Sequence, residues 1–131
     1  MKNCFKIGNS KTFTKIVSEA DLAEFETGVV HQVYGTFALG RDAEWACRLF
    51  VLEMKEEQEE GIGTFLTVNH YSPALLGQSV EITATIDQLE KNSIECSYEV
   101  LVGERLIAKG RQGQKIILKK RLTELFNSLS K

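Results

Sequence analysis

The segment from Thr36 to Glu57 constrains the fold more than any other part of this sequence. Its apolar side chains cover almost the full circumference of a helix over several turns: Phe37, Leu39, Ala43, Trp45, Ala46, Leu49, Phe50, Val51, Leu52 and Met54. A helix that is apolar nearly all round must be buried. The polar run from Lys55 to Glu60 ends the pattern, and Gly61 suits the left-handed conformation at a helix end. We therefore expect a buried helix that other elements cover.

Strands precede and follow this helix in the sequence. Alternating polar and apolar residues predict one strand before it and four after it, over residues 11–17, 64–71, 80–87, 93–102 and 106–118. The residues from Ser18 to Asp21 end the first strand in a loop or short helix, and Pro73 marks a turn after the second. Gly110 and Gly113 are positions where the last strand can bend. A short amphipathic helix over residues 119–129 closes the chain.

This order of elements predicts an α+β fold. The sheet has a single face to cover, and the helix is the only large apolar object available, so a curled antiparallel sheet of about five strands should wrap a central buried helix. No linker, low-complexity tract or repeat divides the sequence, which indicates a single domain over residues 1–131 with its core at about 10–118. Uncovered strand edges favour pairing with a second copy, as a homodimer or a dimer of dimers.

The composition excludes several function classes. Hydrophobic residues make up 43% and charged residues 26% of the chain, as in ordinary globular proteins. A net charge of −2 argues against nucleic-acid binding, because proteins that track phosphates carry excess positive charge. The sequence shows neither a signal peptide nor a membrane span, so we expect a soluble cytoplasmic protein without a membrane partner. Cys4, Cys47 and Cys96 lack metal-ligand spacing and are expected to be free thiols.

The charge distribution is less even than the net charge. Between Arg105 and Arg121 the sequence has seven basic residues, Lys109 and Arg111 among them, and no Asp or Glu. A basic stripe on a strand can meet the phosphates of a small anionic ligand. The alternative is a solvated strand face followed by the start of a helix.

Two polar side chains interrupt the predicted apolar surfaces. Glu44 lies in the middle of the buried helix, where an unpaired carboxylate would cost several kcal/mol. His70 shares its strand face with Leu66 and Val68, the face expected to cover the helix. Glu44 at a subunit interface, capping the backbone or a lysine, and His70 as a hydrogen-bonded core residue are the structural alternatives. Together the two residues favour a catalytic site.

Thr36 is a third candidate, a hydroxyl at the entrance of the helix. Its structural alternative is an N-cap that satisfies a free amide of the first turn. At the rise of an α-helix, Thr36 and Glu44 lie about 12 Å apart along one helix and cannot touch. A shared site therefore needs Thr36 on an entering loop, or the two residues from different chains of a dimer.

These residues carry a family resemblance over about residues 10–118. The sequence resembles hotdog-fold thioesterases of the fluoroacetyl-CoA thioesterase-like branch in four motifs: Val33-x-x-Thr36, Glu44-Trp45-Ala46-Cys47, Gly63-Thr64 with His70 six residues on, and Gly77-x-x-Val80-x-Ile82-x-Ala84. Thr36, Glu44, Gly63 and His70 match the branch's catalytic threonine, glutamate, substrate-contacting glycine and histidine in type and spacing.

The resemblance implies hydrolysis of an acyl-CoA thioester at a dimer interface, with no cofactor or metal. His70 would serve as base, Glu44 would orient it or activate water, and Thr36 would be nucleophile or water-positioning hydroxyl. The amide of Gly63 would contact the thioester carbonyl. Basic residues at the mouth, Lys109 and Arg111, would reach the CoA phosphates. Which residue attacks stays open.

One departure and two other functions bear on this interpretation. The segment from Ser18 to Gly35 is shorter than the lid region of the fluoroacetyl-specific enzyme, so we expect a short or unidentified acyl group. A non-catalytic hotdog module that binds acyl-CoA or only dimerises is the main alternative. A hotdog hydratase ranks last, because Asp42 lacks a histidine a few residues on. Cys47, without an adjacent base, is expected to be a buried thiol, and His31 a loop residue.

Overall fold

An antiparallel sheet of six strands carries the fold in the computed structural model, which describes residues 1–130. The strands are β1 (Ser10–Ile16), β2 (Leu22–Phe25), β3 (Gly28–Tyr34), β4 (Glu59–Leu66), β5 (Asn69–His70), β6 (Ser79–Glu90), β7 (Ser93–Val102) and β8 (Arg105–Leu118), and the helices are α1 (Thr36–Met54) and α2 (Lys119–Leu129). The sheet has the order β1-β6-β7-β8-β4, β5 also pairs with β8, and β2 and β3 form a separate hairpin. The predicted α+β fold, a curled antiparallel sheet around a helix, is confirmed.

The core lies between the sheet and α1. Inward-facing residues of β6 and β7 alternate with exposed or half-buried ones, as the two-residue period predicts. They meet the side of α1 that carries Leu39, Ala43, Ala46, Cys47 and Phe50, all of them fully buried. Burial of apolar side chains on both surfaces fixes α1 across the sheet.

Helix α1 differs from the prediction at its end and on its outer side. It ends at Met54, and Lys55 leaves it with extended backbone, so Gly61 is not a helix cap. Gly61 lies in β4, where a side-chain carbon would lie 2.5 Å from a methyl group of Val51. The sheet covers one side of the helix only, and in the single chain Phe37 is 93% and Trp45 40% exposed. Within the single chain, α1 is therefore buried on the side that faces the sheet and exposed on its outer side.

The segment before α1 forms a hairpin that the sequence pattern did not reveal. A short 3-10 turn, Glu19–Asp21, follows β1 as expected, but β2 and β3 then pair with each other instead of forming a loop. Gly28 takes a φ of +110° where the chain reverses. His31 lies exposed in β3 and is not a loop residue. Because most of this hairpin is solvent-exposed, its residues do not show the clean alternation of a half-buried strand.

Buried charges hold the base of this hairpin against α1. Asp21, just before β2, and Asp42, on α1, are nearly inaccessible, and Lys15 Nζ lies 2.8 and 3.1 Å from their carboxylate oxygens. Tyr34, the last residue of β3, donates its hydroxyl to Asp42. Burial opposes ionisation of Asp21, but hydrogen bonds from Lys15 and Ser18 hold its pKa below the usual range. The cluster fixes both ends of the hairpin, and the sequence pattern did not indicate it.

The predicted strand over residues 64–71 is broken. Strand β4 begins earlier, at Glu59, and ends at Leu66, and β5 resumes only at Asn69. Between them Thr67 lies against β8, and its carbonyl accepts a hydrogen bond from the hydroxyl of Tyr98 on β7 (2.7 Å). This approach requires a glycine at Gly110, because a side-chain carbon there would collide with the Thr67 carbonyl oxygen.

We predict that Gly110→Ala destabilises the protein by about 1–3 kcal/mol, because the added methyl group must displace backbone in a packed region. Urea unfolding followed by circular dichroism measures the change. Lys115→Ala is the control, since Lys115 is exposed on the same strand. Equal stability of the Gly110→Ala protein and the control would contradict the close approach at Thr67.

Candidate active site

Thr36 and His70 form a direct contact in one chain. Thr36 is the first residue of α1, and Gly35 is the N-cap. The Thr36 hydroxyl oxygen lies 2.9 Å from His70 Nδ1, so the hydroxyl does not cap the helix. Strand β5 places the imidazole, since His70 pairs there with Ala108 of β8. The structure therefore joins two of the predicted site residues across 34 positions of sequence.

The surroundings of His70 favour its neutral form. Burial lowers the pKa of the imidazole, and the backbone of Ser72 only partly opposes this effect. Within residues 1–130, Nε2 of His70 is the buried side-chain nitrogen or oxygen without a hydrogen-bond partner. If Nδ1 donates to Thr36, Nε2 is a free base; in the other tautomer, the Thr36 hydroxyl donates to Nδ1. Either form can accept a proton in catalysis.

Glu44 and Gly63 lie together in a second place. The half-buried Glu44 accepts a hydrogen bond on Oε1 from Gln112 Nε2 (2.9 Å). A side-chain carbon at Gly63 would lie 2.6 Å from the same oxygen, so the absence of a side chain lets the carboxylate lie against β4. In the single chain the partner of Glu44 is a glutamine rather than the backbone or a lysine.

The chain thus holds two half-sites. Thr36 and Glu44 both belong to α1, and eight helical residues separate them by about 12 Å along the axis. The Thr36–His70 pair lies at the start of the helix and the Glu44–Gly63 pair lies near its middle. As predicted, one chain does not bring Thr36 and Glu44 into contact.

Lys109 and Arg111 lie on the sheet face opposite α1. Both are exposed, whereas the next residue of β8, Gln112, points inward. Arg111 contacts two carboxylates, Glu95 at 2.9 Å and Asp87 at 3.8 Å. Its charge is therefore compensated in the single chain, and Lys109 is the more available of the two cations.

A cavity of about 710 Å³ opens beside Thr36. The hairpin and the start of α1 line it, with Leu22, Ala23, Phe25, Thr36, Phe37 and Arg41 among its walls. The lining is mainly apolar, and the hairpin forms one side of the opening. An acyl group bound near the Thr36 hydroxyl can occupy this space.

Cys47 lies in the same helix as Thr36 and Glu44. Cys47 is fully buried as expected, and its neighbour Cys96 together with burial raises the pKa of the thiol, which disfavours a thiolate nucleophile.

Among residues 1–130, no three His, Cys, Asp or Glu side chains are arranged to hold a metal ion. No helix in the same range is long and apolar enough to cross a membrane.

Gln112 was missed by the sequence-based reasoning. It is 1% exposed on the inner face of β8, and its only sequence signal is an amide at a position where the strand pattern calls for an apolar residue. Gln114, two residues on, shows the same signal.

Comparisons with known proteins confirm the fold. The model of the fluoroacetyl-CoA-specific thioesterase family matches residues 17–120. A hypothetical protein of Thermus thermophilus, a thioesterase superfamily member, superposes with a TM-score of 0.91 at 32% identity, over 97% of this chain and 94% of that one. No curated protein matches the sequence.

Two solved structures of lower identity share the same architecture. The fluoroacetyl-CoA thioesterase FlK superposes with a TM-score of 0.87 at 18% identity, over 98% of this chain and all of that one. A hot-dog-like protein from Thermanaerovibrio acidaminovorans gives a TM-score of 0.87 at 20% identity, over 97% and 95% of the two chains. The architecture of the chain is the hotdog fold.

We predict that His70 titrates below the ordinary histidine pKa of about 6.5, because its burial disfavours the charged form. A folded-state pKa below the unfolded value also means that this group stabilises the protein above about pH 6.5 and less as the pH falls. NMR titration of the imidazole measures the pKa, with His31→Gln to assign the two histidines. A value at or above 6.5 would contradict the burial described here.

Proposed function

Because the chain belongs to the fluoroacetyl-CoA-specific thioesterase family and is an acyl-CoA thioesterase, we propose that it hydrolyses a small acyl-CoA at a site completed by a second copy. The observation that carries this proposal is the contact between Thr36 and His70. Glu44, which Gln112 holds, lies about 12 Å from Thr36 along the same helix. The two pairs carry the groups that thioester hydrolysis needs.

The chemistry follows from the groups at hand. A water oxygen, or the Thr36 hydroxyl in a covalent route, forms a bond to the thioester carbonyl carbon. His70 or Glu44 takes the proton of the attacking oxygen, and the amide of Gly63 donates to the developing oxyanion. The carbon–sulfur bond then breaks, and the CoA thiolate receives a proton. In the covalent route, water then attacks the acyl ester on Thr36, and its carbon–oxygen bond to Thr36 breaks, which releases the acid and restores the hydroxyl. In both routes the products are the free acid and CoA.

A homodimer supports the site in this proposal. In the sheet, β4 pairs with β8 on one side and has a free edge on the other. Large apolar side chains on α1 and β4 are exposed in the single chain: Phe37, Trp45, Phe65 and Leu66. A second copy that covers them can bring its own Glu44 and Gly63 to the Thr36–His70 pair of the first. Dimers of this kind can pair further as a dimer of dimers.

The substrate proposal rests on the cavity beside Thr36 and on the charges outside it. The apolar lining suits the acyl part of a small acyl-CoA. Lys109 and Arg111 are proposed to bind the CoA phosphates. Lys109 is the more available of the two, because Arg111 is already paired with Glu95. A variant of FlK has been solved in complex with fluoroacetate and CoA, at 20% identity to this chain.

A reducing compartment suits the three cysteines. Cys4, Cys47 and Cys96 are all free thiols, and Cys4 is exposed. Exposed thiols persist where glutathione and thioredoxin keep them reduced. We therefore propose a cytoplasmic location, without a nucleic-acid or membrane partner.

We predict that the purified protein releases free thiol from short acyl-CoAs and that Thr36→Val, Glu44→Gln and His70→Ala each lower kcat/KM by about a hundredfold or more. A thiol-reactive dye measures turnover across a panel of acyl groups. His31→Ala and Glu57→Gln are matched controls on exposed positions and are expected to keep full activity. Undiminished turnover in both Glu44→Gln and His70→Ala would refute the site, and stabilisation by acyl-CoA without thiol release would favour a binding module.

We also predict that Glu44→Gln and His70→Ala proteins complement each other when their subunits mix. If Glu44 comes from one chain and His70 from the other, each mixed dimer has one intact site, and random exchange restores about one quarter of wild-type turnover. Co-expression with two different affinity tags isolates the mixed dimer. If each site lies within one chain, the mixed dimer has no intact site and stays inactive.

A further inference from the structure

We propose that Gln112 is a positioning residue for Glu44 and that Gln114 locks it in place. This inference rests on the proposed function, in which Glu44 acts at the reacting centre. Gln112 and Gln114 form a relay of two side-chain amides, called here the amide relay, on the inner face of β8. The relay ends on the Glu44 carboxylate.

The distances make the relay continuous. Gln114 Nε2 donates to Gln112 Oε1 at 3.0 Å, and Gln112 Nε2 donates to Glu44 Oε1 at 2.9 Å. Gln112 is 1% and Gln114 3% exposed, so water does not compete for these groups. A hydrogen bond to a charged acceptor in such a shielded place is stronger than one at the surface.

The relay has a single direction. An ionised carboxylate accepts hydrogen bonds only, so Gln112 must turn its NH2 group toward Glu44 and its carbonyl toward Gln114. Gln114 then satisfies that carbonyl with its own NH2 group. Because each amide has one allowed orientation, the relay holds Glu44 in one rotamer.

Packing alone does not explain these two amides. Their neighbours on the same inward face, Ala108 and Ile116, are apolar and buried, and burying an amide is unfavourable unless it is hydrogen-bonded. The amides occur where the strand passes Glu44 and Gly63: Gln112 Nε2 would lie 3.7 Å from a side-chain carbon at Gly63. The polar pair thus stands beside the candidate site.

The relay leaves part of Glu44 available. Gln112 occupies Oε1, the oxygen that faces Gly63, which leaves Oε2 to take a proton or orient a water. A carboxylate with one oxygen fixed and one oxygen free is held in the geometry that a base needs. Loss of the relay should therefore affect the reaction step more than substrate binding.

The test is a double-mutant cycle between residues 112 and 44. Gln112→Met keeps the length and packing but removes the donor, and it should lower kcat about tenfold or more with little change in KM. In a Glu44→Gln background the same substitution should add no further loss, because Gln112 acts only through Glu44. Gln112→Leu, which also removes the amide donor without adding a charge beside Glu44, is the second variant and should lower kcat in the same way. Ile116→Met, on the same inner face, is the packing control and should keep kcat.

The outcomes separate this inference from the proposed function. If Glu44→Gln lowers kcat but both Gln112 variants keep it, or if the Gln112→Met loss adds fully to that of Glu44→Gln, the positioning role is wrong and the proposed function stands. If Glu44→Gln itself keeps full activity, Gln112 has no catalytic group to position and the inference is wrong; the proposed function is wrong as well only if His70→Ala also keeps full activity. Thermal unfolding of each variant shows that an observed loss of kcat comes from a folded protein.

Discussion

The fixed rise of α1 controls how this protein can build a site. The helix lies across a curled sheet, and burial of one of its sides against β6, β7 and β8 sets its position. Thr36 at its start and Glu44 two turns later then have a separation that side-chain motion cannot remove. The same packing leaves the other side of the helix apolar and exposed in one chain. The need to cover this side and the need to unite the half-sites both favour a second copy.

Two buried clusters of hydrogen-bonded polar side chains fix the hairpin and β8 relative to α1. The cluster of Lys15, Asp21, Tyr34 and Asp42 ties the hairpin to the first half of α1. The amide relay ties the middle of α1 to β8. Buried polar groups have few allowed partners and strict geometry, so they fix relative positions more closely than apolar contacts do. The hairpin beside Thr36 and the carboxylate beside Gly63 are each held by such a system.

Most of the regular elements were predictable from the sequence, and the exceptions have physical reasons. Alternation located β6 and β7 because one face of each strand is buried and the other is not. The hairpin over β2 and β3 escaped prediction because its side chains are largely exposed and show no such contrast. The break between β4 and β5 escaped because a close approach to Gly110 from another strand causes it. The exposed outer side of α1 was not predicted, because its apolar residues follow the same sequence pattern as buried ones. The sheet of one chain covers only one side of the helix.

For the site, the sequence by itself determined the chemical groups, the element on which each one lies and, through the helical rise, that Thr36 and Glu44 cannot meet in one chain. Only the tertiary structure decided that Thr36 contacts His70, that Glu44 lies against Gly63, and that Gln112 holds its carboxylate. It also placed Arg111 beside Glu95, on the face opposite the helix. Periodicity records which face of an element a residue occupies. Its partner across 34 or 68 residues depends on strand register and on the packing of α1, which no local pattern records.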